Sequence, residues 1–386
     1  MSRGELDVVR VEAIPVADEF PPGQCYGSAR GRVSARVATL VRLETRGGAV
    51  GWGEGFGPPV AVSALVDELA DLVVDRPVSR IVPFVRGALQ AGYHRSPGGL
   101  HVCALSAVEL AMWDAWGHEL GMSVATLLGG RAREVVMAYA STGYVTDHVD
   151  DEGAFADTLQ AAVADGFPAA KIKLGLGGDR DRRRAEIARD KLGGERRLMV
   201  DFNGNYTADS AIQVIYALRD LDIDWVEEPV PPEDLAGLAR TRQAGVPTAA
   251  GEALYTRFGF RALVADQLVD VIQPDLLKCG GLAEARVIVD LAHTWNLRVS
   301  PHAWGGAIGQ AATLQLLAAI PDSPHTEVPA HPLWLEFDRG PNRLREHLLT
   351  EPITADDGVV AVPDGPGFGV EVDEDTVADL RIRADR

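Results

Sequence analysis

The chain has 386 residues, enough for two domains or for one large domain with a small one. Its 37 basic and 56 acidic residues give a formal net charge of −19, which excludes nucleic acid and anionic membrane surfaces as expected partners, so an anionic substrate would need a bound cation or buried lysines. Three scattered cysteines exclude a disulfide framework, and without an apolar leader or a run of 18 apolar residues a cytoplasmic protein is expected.

The first 130 residues predict a small α+β module. Residues 35–44 alternate apolar and polar side chains, and Gly47-Gly48 lead into a second strand at residues 49–52, which favours a hairpin. Residues 105–117 carry apolar side chains at helical spacing, and Gly129-Gly130 close the unit.

From about Val135 short apolar runs alternate with helical stretches. Six of these runs end in a charged residue or a histidine, at Lys173, Asp201, Glu227, Glu252, Asp275 and His302. Their separations of 28, 26, 25, 23 and 27 residues predict repeated βα units, and further strands at residues 136–141 and 325–328 bring the total to eight. This pattern predicts a (β/α)8-type barrel or a close variant. An open doubly wound sheet is less favoured, because no glycine-rich phosphate loop follows the first strand. The tail from Leu348 onward is expected to return to the first module.

The strand ends predict a metal site. Chemistry in such barrels takes place at the carboxyl ends of the strands, and Asp201, Glu227 and Glu252 end three consecutive strands. Three converging carboxylates repel one another unless a cation lies between them, and oxygen ligands select a hard divalent ion, Mg2+ first and Mn2+ second. Solvated rim acids are the alternative, which is weaker for three residues in register. Glu228 is expected to face away from this site.

Acid–base groups are predicted on both sides of the carboxylates. Lys171 and Lys173 lie two residues apart on a strand and project to one face, where each is expected to lower the pKa of the other. Asp275 beside His302 makes an acid–base dyad. With the metal, these groups suggest removal of the proton alpha to a substrate carboxylate, giving a metal-stabilised enediolate. Surface lysines and a structural histidine are the alternatives. Lys278 is expected to cap a loop or a helix.

Ordered motifs extend along nearly the whole chain. They are Gly51-Trp-Gly-Glu54, Trp113-Asp114, Leu127-Leu-Gly-Gly130, Lys171-Ile-Lys173, Asp201-Phe-Asn203, Val226-Glu227-Glu228-Pro229, Gly251-Glu252, Gln273-Pro-Asp275 with Gly280-Gly281, and Ser300-Pro-His302. In this order they resemble the enolase superfamily, and within it the mandelate racemase-like subgroup.

The resemblance implies an α/β fold: a modified TIM barrel, (β/α)7β, over residues 134–347. An α+β capping domain is expected from residues 1–133, completed by residues 348–386. The resemblance also implies that Asp201, Glu227 and Glu252 bind Mg2+. Lys173 and the His302–Asp275 dyad are the implied acid–base groups, and Lys171 lies beside them.

The substrate-binding residues are predicted mostly from one branch of that subgroup. Leu335-Glu336-Phe-Asp338 through Asn342-Arg-Leu-Arg345 is similar to the acid-sugar branch, which includes dehydratases and galactarolactone cycloisomerase. A glutamate near the last strand binds the substrate carboxylate there: Glu336 is favoured by its sequence context, whereas Glu327 lies closer to the expected strand end. Asn203 is a further candidate. Tyr26 and Phe56, in loops 20–29 and 54–58, are candidates for lid contacts, with simple packing as an equal alternative.

These expectations predict a Mg2+-dependent lyase that dehydrates a sugar acid. An aldarolactone cycloisomerase and a 2-hydroxy-acid racemase or epimerase need the same core residues, so all three remain open. A non-catalytic sugar-acid binding protein would have lost ligands or bases, and none is lost. A metal-dependent hydrolase would be expected to use histidine ligands, but neither HxH nor HExxH occurs. A homo-oligomer is expected from the resemblance, with a small carboxylate as its substrate.

Overall fold

The structure, a computed structural model, describes residues 4–94, 96–148, 151–322 and 331–383. The N-terminal module (residues 8–127) opens with strands β1 (Val8–Glu19), β2 (Tyr26–Ser28), β3 (Gly31–Val33), β4 (Ala35–Thr45) and β5 (Val50–Gly55). Its helices are α1 (Pro59–Ala70), α2 (Ile81–Gly92), α3 (Leu100–Leu120) and α4 (Val124–Leu127). Strands β1, β4 and β5 form an antiparallel sheet, and the pairing of β4 with β5 confirms the predicted hairpin.

Glycines in the segment Gly51-Trp-Gly-Glu-Gly55 determine how β5 packs. Alternation along the strand places the three glycines on one face, against α3. A Cβ at Gly53 would lie only 1.9 Å from the carbonyl oxygen of Ala107, so this close approach requires glycine. Glu54 points the other way, toward the second part of the chain.

Parallel strands form the second part. After β6 (Val135–Thr142), the two-residue strand β7 (Val145–Thr146) pairs with β2, and the parallel strands continue as β8 (Ala169–Lys173), β9 (Arg197–Asp201), β10 (Ile223–Glu227), β11 (Thr248–Ala250), β12 (Val271–Ile272), β13 (Arg298–Val299) and β14 (Trp334–Asp338). The connecting helices are α5 (Glu152–Ala164), α6 (Gly178–Leu192), α7 (Ala208–Leu218), α8 (Leu235–Arg242), α9 (Thr256–Ala265), α10 (Gly281–Thr294) and α11 (Ala307–Ala319). The sheet order β13-β12-β11-β10-β9-β8-β6-β14 follows the chain except at β14, which pairs with β6, and this curled sheet confirms the (β/α)7β fold.

The last parallel strand lies later in the chain than predicted. The segment 325–328 lies outside the described residues, and the strand that pairs with β6 is β14, at residues 334–338. Beyond it lie α12 (Arg343–Glu346), β15 (Val359–Ala361) and α13 (Glu374–Leu380). Helix α13 packs against β1, so the tail does reach the first module, whereas β15 pairs antiparallel with β6.

Two apolar cores support this arrangement. The larger one is shared by both parts and includes Leu40 of β4, Leu105 of α3 and Ile308 of α11. The smaller one, which includes Tyr139 and Trp225, draws its residues from the parallel strands. Within the described residues, no helix combines the length and apolar character that crossing a membrane demands.

Candidate active site

Three carboxylates meet at the carboxyl ends of the parallel strands. Asp201 is the last residue of β9, Glu227 is the last of β10, and these two are direct partners in the parallel pairing. Glu252 follows β11 by two residues. One oxygen from each of the three lies within 4.8 Å of the others. The structure therefore brings together the three ligands predicted from the sequence.

The electrostatics of this cluster fit a divalent cation. Burial raises the pKa of Glu227 to about 8, and neighbouring carboxylates add to the effect. One buried oxygen of Glu252, Oε2, accepts no hydrogen bond from the described residues. Oxygen donors crowded in this way suit Mg2+ or Mn2+, because a hard cation between them offsets their mutual repulsion.

Glu228 also faces this cluster, contrary to the sequence expectation. Its φ of +40° is left-handed, so the alternation of β10 ends at Glu227 and no longer directs the next side chain outward. Burial raises the pKa of Glu228 well above its usual value, with further contributions from Glu252 and Asp201. The cluster thus contains a fourth carboxylate, and its Oε1 is buried without a hydrogen bond from the described residues.

The two lysines of β8 each contact a carboxylate of the cluster. Lys173 Nζ donates to Asp201 Oδ2 at 2.5 Å. Lys171 Nζ donates to Glu227 and lies 2.9 Å from Glu336 Oε1. Burial lowers the pKa of both lysines, but these carboxylates outweigh it and raise both pKa values. The spacing of the two lysines predicts that each lowers the pKa of the other, which would make one of them a base at neutral pH. That prediction is wrong, because the contacts with carboxylates raise both pKa values.

The predicted histidine–aspartate pair is formed. His302 Nδ1 lies 2.7 Å from Asp275 Oδ2, and His302 Nε2 lies 3.5 Å from Glu252 Oε2. Burial works against the charged imidazole, yet Glu252, Glu336 and Asp275 together raise the pKa of His302 to about 9. Protonated His302 is thus the main form at neutral pH. It lies on β13's side of the carboxylates, whereas Lys173 lies on β8's side.

Glu336 lies beside both acid–base groups, on β14. It is fully buried, pairs with Lys171, and its Oε2 accepts a hydrogen bond from the amide of Ala303 at 3.2 Å. Burial raises its pKa, but Lys171 and His302 lower it far below the usual range. The competing candidate, Glu327, lies outside the described residues.

The other predicted contacts differ in their surroundings. Asn203 donates to Asp201 through both its backbone and its side-chain nitrogen, and its side-chain oxygen is buried without a hydrogen bond from the described residues. Tyr26 is buried, donates its hydroxyl to the carbonyl of Pro341 and packs against the rings of Tyr144 and Trp304. Phe56 remains 37% exposed, with its ring centroid 4.7 Å from Lys278 Nζ.

Sequence reasoning missed an aromatic and ionic wall beside His302. Arg36 of β4 lies over the Trp304 ring, 3.5 Å from its centroid, and donates to the Trp304 carbonyl. Trp304 Nε1 donates to the hydroxyl of Tyr144 at 3.0 Å, and that hydroxyl donates to Asp338 at 2.5 Å. Arg36 is one of several polar residues in β4, with Thr39, Arg42 and Glu44, so no sequence signal singled it out. Its partner appears only in the fold.

Two carboxylates from the N-terminal module support the loops that carry the dyad. Glu54 accepts hydrogen bonds from the amides of Gly306 and Gly309, at the start of α11, at 2.6 and 2.9 Å. Glu109 of α3 accepts from the amides of residues 282 and 283, at the start of α10, at 2.9 and 2.8 Å. Carboxylates are favourable at helix N-termini because these amides have no partner within the helix. The loops after His302 and Asp275 are thus held by the other part of the chain.

Fold and site together define an enzyme of the α/β-barrel class, with acidic and basic side chains gathered at the carboxyl ends of its strands. Residues 154–376 match the family model "Enolase C-terminal domain-like", and residues 11–129 match "Mandelate racemase / muconate lactonizing enzyme, N-terminal domain". The chain belongs to the mandelate racemase-like group of the enolase superfamily, which confirms the resemblance drawn from its motifs.

Individual relatives cover most of the chain. It is 38% identical over 361 residues to D-galactarolactone cycloisomerase of Agrobacterium fabrum, covering 92% of this chain and 94% of the relative. It is 29% identical to D-xylonate dehydratase of Haloferax volcanii, over 88% of this chain and 84% of the relative. The crystal structure of a racemase from Streptomyces coelicolor with bound magnesium matches with a TM-score of 0.86 and 28% identity, covering 97% of this chain and all of that one. The chain is thus similar to lyases and isomerases.

Proposed function

We propose that this protein catalyses β-elimination from a polyhydroxylated carboxylate: the α-proton is removed and a β-oxygen leaves. The observation that carries the proposal is the position of Lys173 and His302 on either side of the carboxylate cluster. A base and an acid that flank one bound carbon skeleton can act on its α-hydrogen and on its β-oxygen. The names of the two curated relatives, which specify a sugar-acid lactone and a sugar acid, support a substrate of that class.

Asp201, Glu227 and Glu252 are the residues that would hold Mg2+, or Mn2+ as second choice. The bound ion supplies Lewis-acid stabilisation of the negative charge that develops on the substrate carboxylate when the α-proton leaves. Magnesium in the related racemase structure supports this choice of metal.

The acid is assigned to His302. Its pKa of about 9 keeps the imidazole protonated at neutral pH, so Nε2 can donate a proton to the departing oxygen while Asp275 holds Nδ1. Lys173 accepts the α-proton at Nζ, for which the amine must be neutral. That form becomes accessible when Asp201 no longer pairs with the ammonium group and so no longer raises its pKa. Lys171 and Glu336 lie between the two groups, where Lys171 adds positive charge and Glu336 orients the loop after His302.

Ring opening of an aldarolactone is the second candidate. It uses the same residues, but the leaving oxygen belongs to the lactone ring. The observation in its favour is the higher identity to the cycloisomerase, 38%, than to the dehydratase, 29%.

We also infer the organisation around this site. We expect a capping domain, made of residues 1–133 and 348–386, over the barrel of residues 134–347. Helix α13 packs on β1, and the backbones of Arg381 and Val16 pair in a short antiparallel β-bridge. We propose a cytoplasmic homo-oligomer. Size-exclusion chromatography with light scattering tests the oligomeric state, and a monomeric mass would contradict it. Cell fractionation tests the location.

Proton NMR in D2O with Mg2+ tests the function, using aldonates, aldarates and their lactones. With wild-type protein we expect the α-proton signal to disappear and a keto-deoxy product to form. Lys173→Ala should show neither change, and His302→Ala should form no product. Lys191→Ala, on the outer face of α6, is the matched control and should behave as wild type. Product from a lactone alone would establish the cycloisomerase. Exchange without net conversion would indicate a racemase, and zinc in the purified protein would favour a hydrolase. Absence of exchange with every compound, although Mg2+ binds, would refute the proposal.

A further inference from the structure

Lys278 is a buried cation close to the candidate active site. It lies in the turn after β12, where its backbone amide donates to the carbonyl of Asp275 at 3.0 Å. Only 8% of the residue is exposed. The turn places it three residues beyond the aspartate that holds His302, so its position is fixed by the same loop.

The ammonium group of Lys278 has no hydrogen bond or ion pair to any other side chain that the structure describes. Its described contact is the face of the Phe56 ring, 4.7 Å away. Burial lowers the pKa of Lys278, but Asp275 and Glu252 raise it above its usual value, so the group is charged. Buried charges in proteins are ordinarily paired directly. Among the described residues, carboxylates act on Lys278 only from beyond hydrogen-bond and ion-pair distance, so a direct partner is missing.

The position of Lys278 indicates what that partner is. Phe56 belongs to the loop expected to form the lid, and the backbone of Lys278 is bonded to Asp275, the partner of His302, so Lys278 lies between that loop and the acid–base dyad. For a substrate whose first carboxylate is held at the cluster, we take the end that approaches Lys278 to be its other end. An acceptor of negative charge density at that end would complete the pairing of Lys278.

We propose that Lys278 binds the distal carboxyl group of the substrate, so that the enzyme selects aldarates and aldarolactones over aldonates. This inference rests on the proposed function. An aldarate carries a free carboxylate at its distal end. In an aldarolactone, elimination breaks the bond between the β-carbon and the ring oxygen. The electron pair of that bond stays on the oxygen, which leaves a carboxylate at the same end. An aldonate carries a neutral hydroxymethyl group there.

A purely charge-balancing role for Lys278 makes different predictions. If the lysine only offset the acidic cluster, its loss would affect every substrate equally and would change the affinity for Mg2+. Recognition of a distal carboxyl group instead changes the ratio between dicarboxylic and monocarboxylic substrates. A hydrogen bond between charged groups corresponds to about 10- to 100-fold in kcat/KM.

The experiment compares Lys278→Gln and Lys278→Arg with wild type on galactarate, its 1,4-lactone and galactonate. We expect Lys278→Gln to lower kcat/KM for galactarate or its lactone by about 10- to 100-fold more than for galactonate. Lys278→Arg should restore part of the ratio, Mg2+ affinity by calorimetry should stay within twofold of wild type, and Lys191→Gln should match wild type throughout.

The possible failures are distinct. An equal fall on all three compounds, or an unchanged ratio, would overturn the role of Lys278 while leaving the proposed function in place. Wild-type turnover of galactonate alone would have the same meaning. If wild-type protein with Mg2+ exchanged no α-proton of any compound, the proposed function itself would fail.

Discussion

Magnesium binding should release protons, and the amount follows from the carboxylate cluster. Burial and neighbouring carboxylates raise the pKa of Glu227 to about 8, whereas a metal ligand must be ionised. At pH 7 about nine-tenths of the molecules carry that proton, so binding should release about one proton per ion. Glu228, whose pKa is also raised by burial, can add a second.

The sign of the pH dependence follows directly. Protons compete with the ion, so affinity should rise with pH by about tenfold between pH 6 and pH 7 and level off above pH 8, where Glu227 is ionised without help. Isothermal titration calorimetry in two buffers of different ionisation enthalpy counts the protons released. Glu228→Gln removes the group that can release a second proton and should reduce that count. An affinity independent of pH between 6 and 8, with no proton released, would refute the reasoning.

Three further outcomes are expected. Asp275→Asn should lower kcat by about 10²- to 10⁴-fold because His302 loses the carboxylate that fixes its tautomer, while Mg2+ affinity by calorimetry stays unchanged; full activity would contradict the pairing. Glu54→Ala leaves two buried amides at the start of α11 without acceptors and should reduce the free energy of unfolding in urea by about 2–4 kcal/mol; a loss under about 0.5 kcal/mol would show that water replaces the carboxylate. Gly53→Ala places a Cβ 1.9 Å from a carbonyl oxygen of α3 and should lower Tm sharply, whereas Gly194→Ala, with open space around its Cβ, should not.

The barrel could be predicted because its strands repeat at a nearly constant interval. Each apolar run from 169 to 302 ended in a polar residue, and the structure places all six of those residues at the same end of the sheet. The final strand broke the interval: α11 ends at Ala319 and β14 begins only at Trp334, so a fixed spacing pointed to residues too early in the chain.

The errors in the site have two physical causes: periodicity describes only regular backbone, and no local pattern reveals contacts between residues far apart in the chain. Glu228 was assigned outward by strand alternation, yet its left-handed φ ends that alternation. Lys278 lies in a turn that has no period, so its direction depends on the fold. The pKa values of Lys171 and Lys173 depend on carboxylates 28 or more residues away, which no local pattern reveals.

Glu54 and Glu109 also bear on how the chain can be divided. Each lies in the N-terminal module, yet each supplies acceptors for the first amides of a barrel helix. A barrel expressed without that module would start α10 and α11 with uncapped donors in an apolar setting, next to the loops of Asp275 and His302. The two parts should therefore melt in a single cooperative transition, and an exchange of capping modules between relatives would succeed only where both carboxylates are carried over.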